Sequence, residues 1–242
     1  SQDARTKTLG SRRSDGSNSM KFRTESDKAQ TRRSQKMTGT SASTSPSMSP
    51  SEFKKKCKAT LAEFKRIRDT NEVKECLMEY GQKDNSAFIT EALNLIVDTG
   101  SRDQAVRDSI AKLIADLSSS VLTVRDILAG IGSFVEFIDD ICIDIPLAPA
   151  FVANFFANVL CACNDKITLG ALFQQFKNET IESGAAKRVL SKTLAALAKS
   201  CDEAKIGAWI KKDQVALASV LKDVSISAFL ESSGLGAIAK HV

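Results

Sequence analysis

Apolar residues recur at intervals of three and four positions through most of the chain, the spacing of one face of an α-helix. Two such sets are Val106, Ile110, Leu113, Ile114 and Leu117, and Phe151, Phe155, Phe156, Val159 and Leu160. No segment shows the apolar–polar alternation of a half-buried strand, and no βαβ pattern is present. The pattern therefore predicts an all-α protein.

Short polar segments interrupt the helical pattern at roughly 15–20-residue intervals, and several place a capping residue before the next apolar run. They lie at 69–70, 84–85, 99–101, 118–120, 144–146, 164–165, 183–184 and 201–202. Helices of this length joined by short loops are typical of antiparallel helix pairs packed in series. We expect a HEAT-like stack of such pairs, with a globular helical bundle as the structural alternative.

The first 50 residues differ in composition from the rest of the chain. They are rich in Ser and Thr and carry ten Lys or Arg against four Asp or Glu, a net charge of +6, while the whole chain carries +5. The segment contains few apolar residues, and burying them could not offset the conformational entropy lost when the segment becomes ordered. The composition predicts a disordered basic linker over residues 1–50 and a nearly neutral helical domain over residues 51–242, with the first helix opened by Ser51 and Glu52.

Two further properties of the linker are open on the sequence alone. Its positive charge is suited to contact RNA phosphates, which makes mRNA a candidate partner, and a solvated linker is the alternative. Ser45 and Ser49 each precede a proline and are candidate phosphorylation sites, with ordinary linker chemistry as the alternative.

The sequence lacks the motifs by which common catalytic and metal sites are identified. The one histidine is His241, and no phosphate-binding loop, dinucleotide fingerprint or nucleophile elbow is present. The six cysteines mostly fall on apolar helix faces, and we interpret them as reduced, buried and intracellular. Cys161 and Cys163 are two residues apart, so we expect them to face different sides of a helix. We predict no enzyme activity, metal, cofactor or small-molecule substrate.

No apolar run approaches the length of a membrane span, and the N-terminus has no apolar segment of the signal-peptide kind. We therefore expect a cytoplasmic protein without a membrane partner.

Residues 134–160 hold the most informative segment, a helix followed by a proline-rich corner and a second helix. The first helix is expected to run from about Thr123 and to end at Asp139 and Asp140, with Asp144 following. Anions are disfavoured at a helix C-terminus, so the position of these carboxylates indicates a cationic partner outside the chain. Two alternatives remain: Asp144 caps the next helix, and Asp140 is a solvated surface carboxylate.

The sequence IDIPLAP at residues 143–149 resembles the signature of the MA-3 domain. This helical module occurs in the eukaryotic translation initiation factor 4 gamma scaffolds and in programmed cell death protein 4. A second acidic residue four positions before the aspartate belongs to the pattern and is Asp140 here. The resemblance extends over roughly residues 53–231, is strongest at 134–160 and is weak after 211.

The resemblance implies a protein-interaction module that binds a DEAD-box RNA helicase of the initiation factor 4A type. Asp140 and Asp144 correspond to the acidic positions that contact basic residues of the helicase, whereas Asp139 is adjacent but outside the pattern. Pro146, Leu147 and Pro149 complete the implied partner-binding corner, and the prolines would hold it rigid.

In the scaffold proteins this contact recruits the helicase, and in the cell-death protein it inhibits the helicase. A single module after a basic linker favours the scaffold. The other open interpretations are RNA binding through the basic tail and a helical spacer without a helicase contact.

Overall fold

The computed structural model describes residues 48–163 and 166–242. Over these residues all regular structure is helical, which confirms the predicted all-α class. The helices are α1 Pro50–Ile67, α2 Thr70–Tyr80, α3 Ser86–Asp98, α4 Gln104–Leu117, α5 Val124–Val135, α6 Ile138–Asp144, α7 Ala148–Cys163, α8 Leu169–Phe173, α9 Asn178–Glu182, α10 Ala185–Leu197, α11 Glu203–Lys212, α12 Gln214–Leu221, α13 Ile226–Ser232 and α14 Gly236–Ala239.

The helices pack in two rows. α3 lies between α1 and α5 in one row, and α7 lies between α4 and α10 in the other. α3 also contacts α4 and α7, so the rows share one core. The successive helices α1 and α2 are in contact, as are α3 and α4, and the predicted stack of helix pairs is confirmed.

The start of α1 differs slightly from the prediction. The helix begins at Pro50 rather than at Ser51, because Ser49 is an extended N-cap residue whose side chain accepts a hydrogen bond from the Glu52 backbone N–H. The Glu52 carboxylate accepts the Ser49 backbone N–H in return, at 3.1 Å, which forms a capping box. Met48 packs against the core. Residues 1–47 of the linker predicted over residues 1–50, including Ser45, lie outside the described residues.

α7 is enclosed on several sides, because α3, α4 and α10 all contact it. Its Phe156 is fully buried and meets Phe173 and Phe176 at ring-centroid distances of 5.8 and 6.4 Å. Phe173 and Phe176 are stacked on each other at 5.4 Å. This aromatic cluster joins α7 to the helices that follow it.

α5 approaches α3 at a glycine. A Cβ atom added at Gly130 would overlap the Ser86 carbonyl oxygen and lie 2.5 Å from the Ile89 Cβ atom. The hydroxyl of Thr90 on α3 also donates a hydrogen bond to the Gly130 carbonyl at 3.1 Å. This close approach fixes the position of α5, and therefore of the segment that follows it.

The prediction that the cysteines are buried is wrong for most of them. Cys57 and Cys163 are buried, Cys161 is exposed, and the other three are partly buried: Cys76, Cys142 and Cys201. All six are free thiols. Cys161 and Cys163 do face different sides of α7, as their spacing predicts. None of the described helices combines the length and the apolar character that a membrane crossing requires.

Candidate functional site

The helix that was expected to run from Thr123 to Asp140 is two helices. α5 ends at Val135, Glu136 and Phe137 form a turn, and α6 begins at Ile138. The start of α5 is fixed by a buried carboxylate: Asp126 accepts hydrogen bonds from the backbone and the hydroxyl of Thr123 at 2.8 and 2.7 Å. Its other oxygen accepts the backbone N–H of Asn85 at 2.9 Å, which ties α5 to the loop before α3.

The break reverses the electrostatic argument for two of the acidic residues. Asp139 and Asp140 lie in the first turn of α6, where the helix dipole favours anions, and not at a C-terminus. Asp144 is the last residue of α6, so it occupies the position that disfavours a carboxylate. It does not cap α7, because that helix begins at Ala148 and its first carbonyl acceptor is Leu147.

Two acidic residues of this region are held by other parts of the protein. The Ser183 hydroxyl lies 2.9 and 2.7 Å from the two carboxylate oxygens of Asp139 and donates to one of them. An Arg188 nitrogen lies 3.6 Å from the same carboxylate. Glu136 forms an ion pair with Lys177. Asp139 and Glu136 therefore attach α6 and its preceding turn to the segment around α9 and α10.

Asp140 and Asp144 are in a different situation. Both are exposed, and within residues 48–163 and 166–242 neither has a hydrogen bond or an ion pair. They are separated by one helical turn of α6, so their side chains project from the same face. These two carboxylates are available to a group from another molecule.

Exposed apolar residues lie close in sequence to the two free carboxylates. Phe137 is 56% exposed, Ile143 is 79% exposed and Leu147 is 52% exposed. Pro146 is also exposed, whereas Pro149 is buried in the first turn of α7. The assignment of Pro149 to the contact surface is therefore corrected, since a buried proline can only support the corner. We call the set Phe137, Asp140, Ile143, Asp144, Pro146 and Leu147 the acidic–apolar corner.

A shallow cleft of about 190 Å³ lies beside the corner, between the end of α3 and α6. Asp144 lines it from α6, and Asp98, the last residue of α3, lines it together with Asn94. Its remaining lining is apolar: Val97, Phe134, Ile141 and Ile145. The cleft therefore combines two carboxylates at the negative ends of two helices with an apolar lining. Such a cleft suits a Lys or Arg side chain, which carries its charge on a long apolar stem.

A comparison with known families decides what this fold is. Residues 53–167 match the model of the MA3 domain. This segment is an MA3 domain. The resemblance drawn from the sequence is thereby confirmed, and the match runs from within α1 to beyond the end of α7 and contains the whole acidic–apolar corner. It ends at residue 167, earlier than the expected limit of about 231.

Longer alignments relate the MA3 domain and its following helices to named proteins. The chain is 28% identical over 195 residues to eukaryotic translation initiation factor 4 gamma 3 of Mus musculus, covering 78% of this chain and 12% of that protein. It is equally similar to the Homo sapiens protein of the same name. Eukaryotic translation initiation factor 4 gamma 1 of Mus musculus is 27% identical over 161 residues, covering 66% of this chain and 10% of that protein. The chain therefore spans about an eighth of the length of the first of these relatives.

Sequence reasoning did not identify Phe137, Ile143 or Asp98 as part of the MA3 domain's corner and cleft. Phe137 and Ile143 follow the helical apolar spacing, which normally indicates a core face. Asp98 is 46 positions before Asp144, and no local motif connects the two.

Two other expectations concern possible modification and metal sites. Ser49 is exposed at the N-cap of α1, and its phosphorylation stays a prediction. Within the described residues, no three His, Cys, Asp or Glu side chains converge to hold a metal ion.

Proposed function

We propose that the MA3 domain binds a DEAD-box RNA helicase of the initiation factor 4A type through the acidic–apolar corner, as a recruiting module in translation initiation. The observation that carries this proposal is the division of the local acids. Glu136 and Asp139 are paired within the chain, whereas Asp140 and Asp144 are exposed and unpaired among the described residues.

The charge of the site supports a basic partner surface. Asp144 lies at the C-terminal end of α6 and Asp98 at that of α3, and both line one cleft. Both carboxylates lie at the negative ends of helices, where the helix dipole disfavours an anion, so a cation entering the cleft is favoured. Asp140 adds a third carboxylate on the exposed face of α6.

The apolar side chains supply the second component of an interface. Phe137, Ile143 and Leu147 lie close to the carboxylates in sequence and are more than half exposed. Burying such residues provides binding free energy, while the charges favour the correct partner and speed association. A solvated acidic surface would not need this apolar component.

The corner is also held in place before any partner arrives. Asp139 is attached to Ser183 and Arg188, and Pro149 is buried at the start of α7. A rigid site loses little conformational entropy on binding. This supports the rigid corner that the family resemblance implies.

The proposal is tested with the double variant Asp140→Lys, Asp144→Lys and isothermal titration calorimetry against an initiation factor 4A-type helicase. The matched control is Glu75→Lys, Glu79→Lys, an exposed pair of the same spacing on α2. We expect at least a tenfold weakening for the corner variant, since losing charge pairs at an interface costs on the order of 2 kcal/mol or more. We expect little change for the control. Equal affinities of the corner variant and the parent would place the binding site elsewhere.

The functional consequence of binding is measured separately. Because the relatives are named as translation initiation factors, we propose recruitment of an active helicase in the cytoplasm rather than its inhibition. In an RNA-dependent ATPase assay, the MA3 domain should leave helicase turnover unchanged or raise it. A loss of turnover that the corner variant abolishes would instead assign the inhibitory role known for the resembling cell-death protein.

A further inference from the structure

Two cysteines on the side of the stack formed by α7 and α10 lie in direct contact. The sulfur atoms of Cys161 and Cys201 are 3.2 Å apart, although the residues are separated by 40 positions in the sequence. Cys161 lies in the C-terminal part of α7, and Cys201 lies in the turn between α10 and α11. Both are free thiols.

We propose that Cys161 and Cys201 form an oxidative modification site, a dithiol that small disulfides of the glutathione type convert into an intramolecular disulfide. A disulfide has a sulfur–sulfur distance of about 2.05 Å, so the two sulfurs need to approach by only about 1 Å. Rotation of two side chains and a small backbone adjustment supply a movement of that size.

The site is accessible to a small reagent. Cys161 is exposed and lines a polar cleft of about 420 Å³, together with Asp108, Lys199 and Ser200. Cys201 is partly buried and is not among the residues that line the cleft. Cys161 is therefore the thiol that meets the reagent, and Cys201 is the thiol that completes the bond.

The chemistry is two successive thiol–disulfide exchanges. The Cys161 thiolate attacks one sulfur of the small disulfide, which gives a mixed disulfide and releases one small thiolate. The Cys201 thiolate then attacks the Cys161 sulfur and displaces the second small thiolate. The two cysteines lose two electrons and two protons, and the small disulfide is reduced to two thiols.

The surroundings of Cys161 control the rate. The pKa of Cys161 is raised to about 11, mainly because its sulfur is partly buried. The hydrogen bond with Cys201 and the proximity of that thiol add to the increase, whereas Lys205 on α11 opposes it. The other charged groups around the cleft are Asp108 on α4 and Lys199 in the turn after α10. Since the thiolate is the attacking species, the exchange should be slow at neutral pH and accelerate by about tenfold per pH unit toward the alkaline range.

The bond would connect two parts of the chain that the family match separates. Cys161 lies within the MA3 domain at 53–167, and Cys201 lies in the helices beyond it. Oxidation should therefore hold the turn before α11 against α7. The thermal unfolding midpoint should rise, because the cross-link reduces the conformational entropy of the unfolded chain.

The test treats the reduced 242-residue protein with oxidised glutathione at about pH 8.5, then traps free thiols under denaturing conditions for mass spectrometry. We expect a product two hydrogens lighter, with two fewer alkylated cysteines and a Cys161–Cys201 cross-linked peptide. Dithiothreitol should reverse both the cross-link and the rise in the unfolding midpoint.

Cys161→Ser and Cys201→Ser should each abolish the cross-link, and Cys76→Ser, at a partly buried cysteine on α2, should retain it. A protein that stays reduced, a lasting glutathione adduct without a cross-link, or a disulfide-linked dimer would each overturn the proposal. Circular dichroism of each serine variant confirms that it is folded.

Discussion

The carboxylate of Asp126 connects the start of α5 to the backbone N–H of Asn85, at 2.9 Å. Asp126 is only 4% exposed and also accepts both hydrogen bonds from Thr123. One side chain therefore satisfies donors on two separate loops. The turn at Glu136 and the acidic–apolar corner follow α5 in the chain, so this anchor contributes to their position.

Replacing Asp126 with Ala should lower the free energy of unfolding by about 3 kcal/mol, because buried donors lose their acceptor. Asp126→Asn should cost less, since an amide oxygen can still accept the Asn85 N–H. Urea denaturation measures both variants. Equal stability of the alanine variant and the parent would mean that water replaces the carboxylate at this site.

Gly130→Ala should destabilise the domain by about 1–3 kcal/mol, because the added methyl group overlaps the Ser86 carbonyl and the Ile89 side chain. Gly132→Ala on the same helix is the control: its added atom meets the end of the flexible Gln175 side chain at 3.2 Å. This second variant should be neutral or slightly more stable, since alanine favours helix. Similar losses in both variants would argue against close α3–α5 packing.

Asp139 should influence partner binding only through the position of α6. If so, Arg188→Ala and Ser183→Ala should weaken helicase affinity in the same direction as Asp139→Ala, each by a few-fold, because all three release the same anchor. The stability cost of the half-exposed ion pair should stay below about 1 kcal/mol. A loss of affinity in Asp139→Ala alone would show that this carboxylate contacts the partner directly.

Asp98 should take part in binding although it is distant from the corner in sequence. Asp98→Asn should weaken helicase affinity by about as much as Asp144→Asn, because both carboxylates line one cleft. The double variant should lose less than the sum of the two single losses, since one partner cation interacts with both. Strict additivity in calorimetry would indicate two separate contacts.

Ser49→Ala should reduce the stability of the domain by about 1 kcal/mol at neutral pH, through loss of the N-cap of α1. The hydrogen bonds from the Ser49 hydroxyl and backbone lower the pKa of the Glu52 carboxyl below its ordinary value. A group whose pKa is lowered on folding contributes stability above its unfolded pKa and loses it as the pH falls through the folded value. The difference between the parent and Ser49→Ala should therefore shrink in acid, as urea titrations at neutral and acidic pH will show.

Much of the architecture could be predicted from the sequence, because the helix boundaries have local chemical causes. Asp69 and Thr123 cap α2 and α5 through their own side chains, and Pro146 marks the corner. Such signals act within a few residues, so they are visible in the sequence itself. The identity of the MA3 domain depended on the same short-range pattern around Asp144.

The break between α5 and α6 could not be predicted in this way. Neither Gly nor Pro stands at Glu136 or Phe137, and the apolar spacing continues through Ile138 and Ile141. Likewise, Asp139 and Asp140 are chemically identical neighbours, and they differ only because Ser183 and Arg188 reach one of them. Those partners are more than forty positions away and are positioned by tertiary packing, which a local pattern does not contain.

The packing of the Phe156 ring indicates how long a stable recombinant fragment of this domain must be. Its neighbours Phe173 and Phe176 lie beyond residue 167, where the family match ends. A recombinant fragment cut at that residue would leave a large aromatic side chain of α7 facing water and would invite aggregation. The smallest unit that can be transplanted into another protein therefore extends past the conventional domain border and includes at least the segment through Phe176.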